Sequence, residues 1–134
     1  MKRLSKAQIL ILHDQLLAET GGAPGIRDEG LLDSALDSQD AGFGGYELYS
    51  TVISKAARLA FGLVRNHPFT DGNKRTGVLA MLVTLAGNGL VIEASDTNLI
   101  ELGIGLARGD LQTDDVVFWI IQHQVQLPEP KNTE

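Results

Sequence analysis

Arg65-Asn66-His67-Pro68-Phe69-Thr70-Asp71-Gly72-Asn73-Lys74-Arg75-Thr76-Gly77 is the stretch on which the reading of this chain turns. Nowhere else do a histidine, a carboxylate, an amide and three cations lie so close together. Pro68 disfavours the helical region at His67 and breaks the backbone there. Gly72-Asn73 restarts it, with Asp71 as the expected N-cap in front of Val78, Leu79, Leu82 and Val83. The histidine is thus expected on a short loop that runs into the first turn of an apolar helix. That turn has unpaired N–H groups and a partial positive charge, which makes it a natural anion site. Lys74 and Arg75 oppose the helix dipole where they stand. A phosphate-type anion bound between them would remove the conflict, and this points to function.

Outward from this stretch the pattern is helical on both sides. Val52, Ile53, Ala56, Leu59, Ala60, Leu63 and Val64 form a wide apolar stripe, which predicts a buried central helix from Ser50 or Thr51 to Arg65. Asn73 to Ala86 predicts its partner, ended by Gly87-Asn88-Gly89. Ser5 and Gln8 form a capping-box signature for a first helix from Lys6 to Glu19, and Asp28 caps a second over Glu29–Ser38. Ser95 or Asp96 caps a fifth helix reaching Arg108-Gly109, and Thr113 or Asp114 caps a sixth containing Val116, Val117, Trp119, Ile120 and Ile121. Ala41–Tyr49, rich in glycine and aromatics, predicts a flexible loop or small hairpin. Val91-Ile92-Glu93 is the other short strand candidate. The expected architecture is all-α, about six helices in a single domain over residues 1–127, with a frayed tail at 128–134.

Composition narrows the function classes. With 134 residues, 43% hydrophobic and 21% charged, the chain reads as an ordinary globular domain with one core. It has no cysteine, so disulfides and thiolate metal sites are excluded, in keeping with a cytoplasmic location. No apolar run approaches membrane-spanning length. A net charge of −6 argues against direct nucleic-acid binding, against which Arg65, Lys74 and Arg75 form a local positive spot. His67 is the candidate base, because an imidazole takes a proton from a hydroxyl near neutral pH. Asp71 offers a hard oxygen to Mg²⁺ beside substrate phosphates. His13 and His123 lack partners at metal-ligand spacing and read as ordinary helix residues. Neither a Walker loop nor a dinucleotide fingerprint is present.

His67-Pro68-Phe69-Thr70-Asp71-Gly72-Asn73-Lys74-Arg75 resembles the signature HPFx(D/E)GN(G/K)R of the Fic/Doc superfamily. Length, helical content and the Gly25–Leu32 segment are similar to the Doc branch, the death-on-curing toxins of toxin–antitoxin modules. The resemblance implies a Fic/Doc-like bundle with His67 as general base and Asp71 positioning Mg²⁺. It implies that Gly72, Asn73, Lys74 and Arg75 hold the phosphates of ATP, that Arg65 helps them, and that Phe69 fixes the loop from the core. Fic enzymes carry glycine at the position of Lys74, and usually a second arginine where this chain has Val78; they transfer AMP. Doc toxins carry the lysine and phosphorylate a threonine of elongation factor Tu, arresting translation. The resemblance therefore favours γ-phosphoryl transfer, with nucleotide transfer or a catalytically silent binding role as alternatives. Residues 42–48 match the flap that docks the target as an added strand. The self-inhibiting (S/T)xxxE(G/N) motif is absent, since Gly25 precedes Glu29-Gly30 at the required spacing. Inhibition is then expected from an antitoxin partner, which would also carry the DNA-binding half.

Overall fold

The computed structural model describes residues 1–125, so the tail expected at 128–134 lies outside the described residues. Six helices follow in order among them: α1 Lys6–Thr20, α2 Glu29–Asp37, α3 Val52–Asn66, α4 Asn73–Gly87, α5 Asp96–Arg108 and α6 Thr113–His123. A 3₁₀ turn at Ser38–Asp40 and a hairpin of β1 Gly42–Phe43 with β2 Tyr46–Glu47 separate α2 from α3. The fold is all-α, as its periodicity predicts. None of these helices is long and apolar enough to cross a membrane.

Local chemistry explains most of the boundaries. Ser5, Thr51 and Ser95 each accept the N–H three residues on, and Gln8, Ser54 and Asn98 return the bond to the cap. Asp28 caps α2 through the Leu31 N–H. Each such cap contributes about 1 kcal/mol. Two expected caps are displaced. At α6 the cap is Gln112, because the Thr113 hydroxyl takes a hydrogen bond from Arg58 and Asp115 accepts the Gln112 N–H at 2.7 Å. At α4 the cap is Gly72 with φ 81°, and the Asp71 carboxylate is engaged elsewhere. Val91–Glu93 is not a strand; Ile92 makes a single bridge to Gln124 at the end of α6.

The α3–α4 hairpin is the centre of the molecule. Helix α3 packs on α4, α2, α6 and α5, and α1 covers the other side of α4. One apolar cluster, around Ala56, Ala60, Met81, Leu85, Leu106 and Ile120, joins α3 and α4 to α5 and α6. A second, around Ile9, Leu32, Leu59, Leu63, Phe69 and Ala80, joins them to α1 and α2. Small residues let the two central helices meet closely. At Gly77 a Cβ would lie 2.6 Å from Val64 Cγ2 and 3.2 Å from the Ala60 carbonyl, so a larger residue would push the hairpin apart. That approach fixes the spacing of the loop the hairpin carries, residues 67–72.

Candidate active site

His67 ends α3 in the left-handed region, with φ 52° and ψ 53°. It is the one described non-glycine residue with positive φ. This conformation costs an L-residue roughly 1–2 kcal/mol. Pro68 disfavours the helical alternative, and a strap from the α1–α2 connection holds the result. Arg27 Nε donates to the His67 carbonyl at 2.6 Å and Nη2 to the Asn66 carbonyl at 3.0 Å, satisfying carbonyls that the end of α3 leaves unpaired. The Arg27 and Asp28 N–H groups both donate to the Pro68 carbonyl, and Thr70 N–H donates to Gly25. Ile26 and Phe69 complete the strap as a bridged pair.

Asn73 fixes the loop from within. It is 4% exposed; its Oδ1 accepts the Phe69 N–H at 2.9 Å and its Nδ2 donates to the Phe69 carbonyl at 2.9 Å. Because an N–H can only donate and a carbonyl can only accept, the amide has one orientation. Nδ2 therefore also faces His67 Nδ1, at 3.1 Å. In the neutral ring Nδ1 is the acceptor, and the proton sits on Nε2. Phe69 is fully buried, as the resemblance implies.

His13, read from sequence as an ordinary helix residue, belongs to this site. It is 2% exposed, stacks on Phe69 with ring centroids 3.8 Å apart, and donates from Nε2 to the Asp71 carbonyl at 2.7 Å. The sequence carried no signal for this, since the partners are 58 residues apart. Asp71 is correspondingly not a helix cap. Its Oδ1 accepts the Gly72 N–H at 2.9 Å and its Oδ2 the Ala23 N–H at 3.3 Å. Glycine suits position 22, where φ is 126° and a Cβ would stand 2.7 Å from Oδ2 and displace the carboxylate.

These contacts leave a cleft of about 320 Å³ lined by His67, Asp71, Gly72, Asn73, Lys74 and Arg75, with Val64 and Ala107 behind. The first-turn N–H groups of α4 belong to its rim and have no intrahelical acceptor. Among the described residues no carboxylate pairs with Lys74 or Arg75. The cleft thus combines a positive helix end and two free cations with a histidine and a carboxylate. All the expected site residues meet there except Arg65. Its Nη1 donates to the Ala107 carbonyl at 3.2 Å and the Leu106 carbonyl at 3.5 Å, closing the C-terminus of α5. No group of three or more His, Asp or Glu side chains occurs among the described residues, so a cation at Asp71 would complete its shell with phosphate oxygens and water. A second groove of about 410 Å³, walled by Leu79, Leu82, Leu99, Ile100 and Ile104, opens onto the same Lys74 and Arg75.

The Fic/DOC family model matches residues 3–85, which hold the strap, the hairpin, α3 and the whole loop. The chain is 29% identical to "Protein kinase doc" of Escherichia phage P1 over 116 residues, 87% of this chain and 90% of the relative. It is 42% identical to "Toxin Doc" of Mycolicibacterium smegmatis over 74 residues, 55% of this chain and 57% of the relative.

Proposed function

The chain belongs to the Fic/DOC family, and from that membership and the cleft we propose that it is the toxin of a toxin–antitoxin module, acting in the cytoplasm as a protein kinase. Its substrates are ATP and a threonine hydroxyl of elongation factor Tu. The observation that carries the reading is the cleft, in which His67 shares one rim with the unpaired first turn of α4 and with Lys74 and Arg75. The phage relative, a protein kinase by name, supports the kinase half.

In this reading the α4 N-terminus, Lys74 and Arg75 hold the phosphate oxygens through N–H groups and charge. His67 takes the proton of the acceptor hydroxyl as its oxygen bonds to the γ-phosphorus. The bond from that phosphorus to the β,γ-bridging oxygen breaks, and ADP leaves. Taking a proton at Nε2 needs the ring tautomer that Asn73 does not favour. His67 is exposed and exchanges with water, so the change costs one hydrogen bond, about 0.5–1.5 kcal/mol. Asp71 is the residue that would hold Mg²⁺, whose chemistry is to neutralise charge developing on the phosphates. Arg65, whose Nη1 closes the α5 terminus, would help hold the phosphates only through its other N–H groups. An antitoxin is the proposed inhibitor, and the groove between α4 and α5 is suited to it because an occupant there would cover Lys74 and Arg75.

Parallel reactions with γ-labelled and α-labelled ATP, Mg²⁺ and elongation factor Tu test this. Label arriving only from the γ position, absent in His67→Ala, is the expected result. Transfer from the α position in the native chain would replace phosphorylation by nucleotide transfer. Lys74→Gly is expected to weaken γ transfer, because it removes one of the two free cations from the cleft.

A further inference from the structure

The β1–β2 hairpin has no apolar face with which to hold itself against the body of the fold. Its strands are two residues each and exposed on both sides, with Phe43 79% and Tyr46 68% exposed. An isolated hairpin of this kind is marginal at best in water. What ties it down is a buried ammonium. Lys55 is the fourth residue of α3, its side chain only 6% exposed, and lysine is almost never so buried without partners. Its Nζ donates to the Gln39 carbonyl at 2.9 Å and to Glu47 Oε1 at 3.3 Å, with Asp40 Oδ1 at 3.7 Å. One cation therefore joins α3 both to the 3₁₀ turn that enters the hairpin and to the strand that leaves it. The Leu48 N–H closes the base by donating to Ala41. Farther along, the Arg58 guanidinium lies 5.5 Å from the Tyr49 ring. Anchoring through charge at the base leaves Phe43, Tyr46 and Leu48 turned to solvent, where apolar surface is available to a partner.

We propose that Lys55 is the positioning residue of the hairpin: through Gln39 and Glu47 it fixes the strand edge along which an extended segment of the protein substrate pairs. It thereby sets the affinity for the protein substrate and takes no part in phosphoryl transfer. This rests on the reading of the hairpin as the docking edge of the proposed kinase.

Two variants test it. Lys55→Met keeps the buried stem and removes the charge, while Glu47→Gln alters only an exposed partner and leaves the core alone. Chymotryptic cleavage after Phe43 and Tyr46, followed by mass spectrometry, reads the anchor without any reference to activity. It is expected to rise about tenfold in Lys55→Met, the size of one charge-assisted hydrogen bond, and by a smaller factor in Glu47→Gln. For γ-phosphate transfer to elongation factor Tu, KM is expected to rise with the cleavage rate, while kcat and ATP affinity stay within about twofold, as befits a lost ground-state contact. Lys55→Arg, which keeps the charge, should recover part of both. Unchanged cleavage in both variants would refute the anchor. Faster cleavage with unchanged KM, or a fall in kcat alone, would refute the docking role. A native chain that transfers nothing to elongation factor Tu would refute the functional reading and the docking role with it, and the cleavage arm would still judge the anchor.

Discussion

His13 offers the most demanding test of how this loop is held. Its ring fills space between α1 and Phe69, and its Nε2–H satisfies the Asp71 carbonyl. Truncating it to alanine removes a fully packed ring, a loss of about 2–4 kcal/mol if the site relaxes only partly. It also leaves the Asp71 carbonyl without its donor, at about 1–3 kcal/mol. The expected total, about 3–7 kcal/mol, is a large share of the roughly 5–15 kcal/mol that holds a typical domain together. Two further variants divide that total. His13→Phe keeps the stack and loses the donor, so it should cost about 1–3 kcal/mol. His13→Gln keeps a donor that can reach the carbonyl and loses the ring, so it should cost more than His13→Phe in stability and less in activity. Urea unfolding at unchanged m gives the first quantity, and γ-phosphate transfer per folded molecule gives the second. The reasoning fails if His13→Phe matches the native chain in both, because the bond to Asp71 would then contribute nothing. It fails equally if His13→Ala costs less than about 1 kcal/mol, since a ring buried this deeply cannot be removed so cheaply.

The remaining predictions concern the strap, the strained residue and the N-terminus. His67→Gly should abolish transfer while raising stability by about 0.5–1 kcal/mol in urea unfolding, because glycine accepts φ 52° without strain; a destabilised His67→Gly would show that the ring's bond to Asn73 outweighs the backbone cost. Arg27→Gln loses the paired bonds to the Asn66 and His67 carbonyls, and is expected to lower both stability, by about 1–3 kcal/mol, and transfer. Hydrogen bonding to Arg3 holds the Asp40 carboxyl below its usual range. A lowered carboxylate pKa gives stability that is whole above the unfolded value and is lost as pH falls through the folded one. The small stability gap between the native chain and Arg3→Ala should therefore close as the solution is taken from neutrality to below the ordinary carboxylate range.

What the sequence made legible here follows from how far each interaction reaches along the chain. Caps are contacts over three residues, so Ser5, Asp28, Thr51 and Ser95 are readable by composition and spacing alone. The break at His67 is readable for the same reason, since Pro68 constrains its immediate neighbour. Asp71 marks the limit of this kind of inference. Its position before α4 satisfies every local rule for a cap, yet the carboxylate is drawn to Ala23, 48 residues away, and Gly72 takes over the helix start. Arg65 shows the same limit, since the fold also brings it to the Leu106 and Ala107 carbonyls, 41 and 42 residues away. His13 and Arg27 are the converse, long-range partners with no local signature. Most of the residues that line the cleft lie between His67 and Arg75 and could be named from the sequence. Asn73 and Phe69 hold the loop from within the same stretch, but His13, Gly22 and Arg27, which hold it from outside, come from α1 and the α1–α2 strap. A survey of variants confined to residues 65–77 would for that reason miss the part of the support that His13 and Arg27 supply.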